Sequence, residues 1–293
     1  MLEALHIELL HSCPLACLAC DHRTLGAARL KPEFLSALYA LPELKGLKLI
    51  SFSGGEPLLY PGLASVLAGA AAAFPRATLA LLSSLYDTKK ALRLLRRLPP
   101  AVLPRLHIGS SLDGPPGLHD EMRGRPGAFA ALKASLDAVR REFPGLSAGL
   151  TFTATRRNAA AFYAAWAEAR LLGVTLAPQF LVANAGTAGL ELDTAASRAL
   201  AAGLRRALDG CAQASQEAAN LRQALDFLGG GPAGGCGAGA SFLMLSPEGE
   251  FYLCPFHKDI KAPLSGSAAL RPPAAGHRTR HCVNCFLRCA RGR

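Results

Sequence analysis

Three cysteines, Cys13, Cys17 and Cys20, stand four and three residues apart directly after an apolar run at 5–10, LHIELL. Thiolates at this spacing can wrap three corners of a cubic 4Fe–4S cluster and leave the fourth iron open to a small molecule. Zinc is the alternative; it wants four ligands, and His11 or His22 could supply the fourth. A second set follows far down the chain: Cys236, Cys254, Cys282, Cys285 and Cys289. Five thiolates are too few for two cubic clusters at about four each and too many for one zinc. One cluster held by Cys236, Cys254, Cys282 and Cys285 fits, with Cys289 able to replace one of them. A zinc knot stapling a loop-rich tail is the plainer alternative. Cys211, alone in a helical pattern, reads as a buried apolar residue.

Two further segments bear polar groups suited to a ligand. Ser53-Gly54-Gly55-Glu56-Pro57 follows a second apolar run; paired glycines allow close backbone approach, and the carboxylate could hold an ammonium group. Ser110-Ser111-Leu112-Asp113-Gly114 follows a fourth run and offers hydroxyls and a carboxylate to a ribose. Either segment alone is an ordinary turn. Their shared position, at the C-terminal ends of strands, is what separates them from turns, because in a parallel barrel those ends converge on one mouth. Ser84, Arg156 and Gln179 fall at equivalent places.

The elements that must position these groups are legible as alternation. Strand-like runs at 5–10, 47–52, 78–84, 105–112 and 146–155 each precede a helical pattern, at 32–41, 62–74, 87–98, 128–143 and 158–173, and a sixth run spans 174–182. The runs are nearly continuous, which suits parallel strands buried on both faces. Six right-handed β-α units give an α/β fold, a partial parallel (β/α)6 barrel, with an open doubly wound sheet as the competing geometry. Asp87 and Asn158 stand where helix N-caps are expected. Two Ala-rich helices near 194–209 and 213–228 follow, then a Gly-rich hinge at 229–235. SFLMLSPEGEFYLC reads as a hairpin turning through Pro-Glu-Gly-Glu. The expected division is a barrel at 1–183, a helical connector at 184–230 and a small cysteine-rich extension at 231–293.

Composition bounds the setting. The 293 residues are 51% hydrophobic, so most of the chain folds. No basic n-region with a cleavage site opens it, and Pro75-Arg76 interrupts the one apolar stretch that approaches membrane-spanning length. Nine cysteines without a secretory signal point to metal in a reducing cytoplasm. The formal charge of +11 gathers partly on Lys89, Lys90, Arg93, Arg96 and Arg97, one face of an amphipathic helix whose other face is Ala91, Leu94, Leu95 and Leu98. A solvated outer face accounts for it. Without interleaved aromatics, nucleic acid is disfavoured.

Taken together, CxxxCxxC after the first strand, GGEP after the second and SLDG after the fourth resemble the radical S-adenosylmethionine (SAM) superfamily. The resemblance covers about residues 5–182 and continues through His119-Asp120-Glu121-Met122-Arg123-Gly124-Arg125-Pro126-Gly127-Ala128-Phe129, a run common in the peptide-modifying branch. It implies that Cys13, Cys17 and Cys20 bind a 4Fe–4S cluster whose open iron is chelated by the amino and carboxylate groups of SAM. It further implies that Gly54, Gly55 and Glu56 hold the amino group and that Ser111 and Asp113 lie near the ribose and carboxylate. Reductive cleavage of SAM then yields a deoxyadenosyl radical that abstracts a substrate hydrogen. Ala19 stands where the family usually has an aromatic residue, and Ala16 where a polar or basic residue is commoner.

The tail is similar to the opening of the SPASM/Twitch module, with Gly249 in the hairpin turn between Cys236 and Cys254. Its shortened length matches the Twitch form, which implies one auxiliary iron–sulfur cluster. The resemblance also implies an electron donor such as flavodoxin or ferredoxin. Peptide modification is the favoured activity. With no separate leader-binding domain ahead of the first strand, a peptide substrate would need a leader-binding partner protein. Oxidation of an amino sugar or other small molecule and cofactor biosynthesis are the alternatives. The sulfatase-maturating branch is disfavoured because Pro255, not an acidic residue, follows Cys254. From another class, a non-enzymatic zinc-binding regulator would leave GGEP and SLDG unexplained.

Overall fold

The structure is a computed structural model that describes residues 2–181, 187–231 and 237–258, with the backbone of 261–263. Six parallel strands, β1 Ala4–Glu8, β2 Leu49–Ser53, β3 Thr78–Leu82, β4 Leu106–Ser111, β5 Ser147–Ala154 and β6 Thr175–Phe180, lie side by side in chain order. Helices α1 Pro32–Tyr39, α2 Leu63–Ala73 and α3 Thr88–Arg97 cross between the first four strands. Next come α4 Pro116–Arg123 and α5 Ala128–Glu142 before β5, and α6 Phe162–Leu171 before β6. α4, which overlaps the HDEMRG run, has no counterpart in the sequence-level pattern. α7 Thr194–Asp209 and α8 Gln216–Leu228 pack on one another beyond β6. The mostly parallel sheet is not closed, with β6 at one edge. No helix among the described residues is long and apolar enough to cross a membrane.

The expectation that strands are buried on both faces is corrected. Burial alternates along β1, β2, β4 and β6. Leu5, Ile7, Ile50, Phe52, Leu79, Leu81, Leu106, Ile108, Leu150, Phe152 and Leu176 join one large core, while the residues between them, such as His6, Glu8, Ser51, Ser53, Ser111, Thr151 and Thr153, face the concave side. The cause is curvature: helices cover the convex face only, and the concave face lines the barrel interior. On these six strands the side chains there are mostly polar or small, so the apolar runs conceal a period of two.

The expected hairpin forms, but within the main sheet. β7 Phe242–Leu245 pairs in parallel with β1, Ala4 opposite Phe242 and Ile7 opposite Leu245. β8 Glu250–Tyr252 turns back antiparallel through Gly249, φ +86°, and β9 Lys261–Pro263 extends the edge. Leu243, Leu245, Phe251 and Leu253 enter the large core, whereas Phe242, Met244, Tyr252 and Cys254 form a small apolar cluster on the concave side.

Candidate active site

The segment leaving β1 carries the three cysteines and is clamped from both sides by main chain. From β2, the Gly55 N–H donates to the Leu10 carbonyl (2.6 Å) and the Glu56 N–H to that of Ser12 (2.9 Å). A Cβ at Gly54 or Gly55 would overlap the carbonyl oxygens of Leu10, His11 and Ser12. The glycines therefore serve the close approach of β2's end to the thiol segment. From the other side, the last turn of α4 accepts two hydrogen bonds: Ala16 N–H to Arg123 O (3.1 Å) and Leu18 N–H to Met122 O (2.9 Å). Gly124 ends that helix at φ +58°, and a Cβ there would strike Ala16. A small residue at 16 belongs to this contact.

Glu56 is buried and accepts four hydrogen bonds, on Oε1 from Leu58 N–H (3.1 Å) and Ser83 O–H (2.7 Å), on Oε2 from the N–H (2.9 Å) and O–H (2.5 Å) of Ser84. A carboxylate has about four lone-pair sites, so these donors fill it. Leu85, at φ +54°, turns the chain just after this pair of serines, and its N–H donates to Ser83 Oγ (3.0 Å).

Asp113 is equally buried. Its Oδ1 accepts from Thr153 N–H (2.9 Å) and its Oδ2 lies 2.6 Å from Arg123 Nη2. Its own N–H donates to His119 Nδ1 (3.1 Å), which fixes that imidazole as neutral, and burial pushes the His119 pKa down to about 3. Asn158 does not cap a helix as expected. It accepts from Thr155 N–H and O–H and donates to the carbonyls of Asp113 and Thr153, tying the end of β5 to the SLDG turn. Asp120 caps α5 by accepting from Gly127 N–H and Phe129 N–H. His119, Asp120 and Arg123 of the HDEMRG run thus each have a place in this scaffold, whereas Glu121 is exposed and pairs with Arg157.

Cys13, Cys17 and Cys20 are partly exposed. Burial pushes the Cys13 thiol up to about 11 and raises Cys20 as well, so an incoming metal has to displace protons there. Among the described residues the group compact enough for a single ion is Cys20, Asp21 and His22, and it includes neither Cys13 nor Cys17. His22 is engaged by Glu8 (3.9 Å) and His11 (3.4 Å), and Asp21 by Lys258 (3.6 Å). Three soft thiols spread wider than one ion's shell suit an iron–sulfur cluster better than zinc. The guanidinium of Arg123 supports this fit: its Nη1 lies 3.6 Å from Cys17 Sγ and offers a donor to that sulfur.

The hairpin closes the third side. Glu248, in its turn, accepts from His11 Nε2–H at 2.9 Å, two residues ahead of Cys13. On the concave face, His6 Nε2 lies 2.6 Å from Ser53 Oγ, and burial holds that imidazole below its ordinary pKa. Tyr252 is buried, and burial, with Glu8 beside it, pushes its hydroxyl pKa up.

The structure thus gathers Cys13, Cys17, Cys20, Gly54, Gly55, Glu56, Ser84 and Asp113 around one strand-end region. Ser111 faces the concave side, whereas Ser110 points into the helix-covered core with its Oγ unpaired. Arg156 is exposed, and Gln179 donates to the neighbouring Phe180 carbonyl (3.2 Å). Cys254 is buried just after β8; Cys236, Cys282, Cys285 and Cys289 lie outside the described residues. Sequence reasoning missed Ser83, Arg123, His119 and Asn158 as parts of the site. The family run named His119 and Arg123 without a role, Asn158 resembled a cap, and Ser83 gave no signal.

Comparison with known proteins bears on the fold and the family. The chain superposes on SuiB of Streptococcus suis bound to its precursor peptide SuiA with a TM-score of 0.64, at 14% identity over 98% of this chain and 70% of that one. For SuiB bound to S-adenosylmethionine the TM-score is 0.62, at 15% identity over 87% and 60%. For anSMEcpe with bound AdoMet and the Cp18Cys peptide it is 0.57, at 15% identity over 87% and 74%. These likenesses establish the fold. In sequence, 113 residues are 33% identical to Fe-coproporphyrin III synthase of Methanosarcina barkeri (strain Fusaro / DSM 804). That match spans 39% of this chain and 26% of the relative. Residues 7–155, just over half of the chain and holding all three N-terminal cysteines, GGEP and SLDG, match the model of the Radical SAM superfamily, and the protein is an enzyme of that superfamily.

Proposed function

We propose that this radical SAM enzyme modifies a peptide. The supporting observation is the concave face, which is mostly polar along the six parallel strands and stays open where the sheet fails to close at β6. An extended peptide needs hydrogen-bond partners along its backbone, and Ser51, Ser53, Ser111, Thr151 and Thr153 offer them at intervals across adjacent strands. The HDEMRG run and the peptide-bound structural relatives point the same way.

In this reading Cys13, Cys17 and Cys20 hold a 4Fe–4S cluster, and Cys254 joins Cys236, Cys282 and Cys285, or Cys289, around one auxiliary cluster. When bound, the first cluster and SAM supply a hydrogen-abstracting radical by reductive cleavage of the cofactor. The chain's own residues bind and orient. The strand-end backbone at Gly54 and Gly55 lies toward the amino group of SAM, and Glu56, its carboxylate already held by four donors, acts on that ammonium through its charge and not by accepting a further hydrogen bond. Ser111 and Asp113 lie toward its ribose and carboxylate. The hairpin, seated beside β1, screens the thiol segment from water. A flavodoxin or ferredoxin delivers the electron, a separate protein presents the leader of the peptide, and a reducing cytoplasm keeps the thiols available.

A second reading, cofactor biosynthesis on a tetrapyrrole, is favoured by the Fe-coproporphyrin III synthase match. Anaerobically reconstituted protein supplied with SAM and dithionite separates the two. Peptides synthesised from the short reading frames flanking the gene are expected to stimulate release of 5′-deoxyadenosine and to change in mass. Unchanged peptides, with iron coproporphyrin formed from a tetrapyrrole precursor instead, would decide for the second reading.

A further inference from the structure

We infer that Arg123 sets the reduction potential of the centre held by Cys13, Cys17 and Cys20, with Asp113 as the counterweight that limits its effect. This rests on the reading that those three thiolates bind a 4Fe–4S cluster. Arg123 is a positioning and tuning residue here, not a catalytic one.

The geometry places one permanent cation between two anions. Arg123 Nη1 is 3.6 Å from Cys17 Sγ, and Nη2 is 2.6 Å from Asp113 Oδ2. Guanidinium does not lose its charge in a protein, and its planar fork reaches both partners at once, which an ammonium cannot. Its side chain is 16% exposed and that of Asp113 5%, so water does little to screen the pair. The side chain is not needed to hold the thiol segment. The main-chain bonds from Ala16 and Leu18 to the last turn of α4, and the Gly124 contact, do that already. What the side chain adds is charge and a donor at a ligand sulfur.

Reduction of the cluster by an external one-electron donor adds one negative charge and moves no atoms. A cation donating to a ligand thiolate stabilises the more negative, reduced form and raises the potential. The Asp113 carboxylate opposes it. Opposite signs are therefore expected for the two halves of the pair, which a role confined to folding does not produce.

The test is an EPR-monitored titration with titanium(III) citrate on the full chain, reconstituted anaerobically with iron and sulfide, reading the signal that the Cys13→Ala/Cys17→Ala/Cys20→Ala variant lacks. Arg123→Gln is expected to lower the midpoint so that, at a fixed ambient potential, the reduced-to-oxidised ratio falls about tenfold, which is about 59 mV for one electron. Asp113→Asn is expected to raise it, and the double variant to fall between. Arg123→Gln strands a buried carboxylate and can fail to fold; Asp113→Asn and the double variant contain no such carboxylate and carry the test without it. Unchanged midpoints at full iron content, or shifts of one sign in both single variants, would overturn the inference. A triple-cysteine variant with the wild-type spectrum would instead defeat the cluster assignment beneath it.

Discussion

Glu56 illustrates how a residue's type can be read from sequence while its partners cannot. As a turn residue it would tolerate replacement at a cost within ~0.5 kcal/mol. In the fold its carboxylate is 3% exposed and carries four donors from two segments. Glu56→Ala leaves the hydroxyls of Ser83 and Ser84 and two backbone N–H groups without their acceptor. A loss of roughly 2–4 kcal/mol is expected, measured as a lowered urea midpoint with unchanged slope. His119 gives a pH signature. Burial first, then Arg123, pushes its pKa down, with Asp120 opposing, from an ordinary 6.5 to about 3. Between those values the unfolded chain binds a proton that the native state refuses. The stability it contributes is therefore complete above pH 6.5 and is lost as the pH falls toward 3. His119→Asn keeps an acceptor for Asp113 N–H but does not titrate. Urea unfolding at pH 7 and pH 5 should show wild type losing more stability than the variant; equal losses would remove His119 as the source.

At the scale of elements, the helices other than α4 and the six parallel strands were legible because each spans five or more residues with its own periodicity. The concave face was harder to read, since Ala4, Ala80 and Leu82 fill inward positions with apolar residues and blur the alternation. Less legible still was the clamp on the thiol segment. It joins Leu10 and Ser12 to β2's end, and Ala16 and Leu18 to the end of α4, more than a hundred residues away. No spacing rule within one element reports such a contact. The glycines were noticed, but for closeness to a ligand, whereas their immediate neighbour is the chain itself. Gly124→Ala tests the clamp: it strains a positive-φ position and drives a methyl into Ala16. The helices should persist by circular dichroism, with stability lowered by about 1–3 kcal/mol. Iron retained by the N-terminal site after anaerobic reconstitution and desalting should fall clearly below wild type. Full iron retention would show that the clamp is not needed to shape the thiol segment.

For the molecule as a whole, the consequential difference from the sequence-level picture is where the hairpin sits. A Gly-rich stretch before it suggested a separate extension, with the loop-rich tail after it in need of a staple. Instead β7 occupies the position beside β1 that would otherwise be an open edge, and its register runs from Ala4–Phe242 to Ile7–Leu245. Four of its apolar residues, Leu243, Leu245, Phe251 and Leu253, are buried in the same core as β1 and β2. At about 1.5–3 kcal/mol for each buried side chain, they contribute on the order of 6–12 kcal/mol. That is comparable to the about 5–15 kcal/mol by which a whole domain is stable. Apolar packing of this size does not require a metal, so the strands and the cysteines can be separated by truncation. A chain ending at residue 231 should lose cooperative thermal unfolding, bind a hydrophobic dye such as ANS and aggregate through the exposed β1 edge. A chain ending at residue 263 keeps β7, β8 and β9 but lacks Cys282, Cys285 and Cys289, and it should melt cooperatively in the presence of a chelator. If the 231-residue chain melts like the longer one, the hairpin is an accessory to the barrel. If the 263-residue chain fails as well, the tail metal and not the strand packing holds the edge.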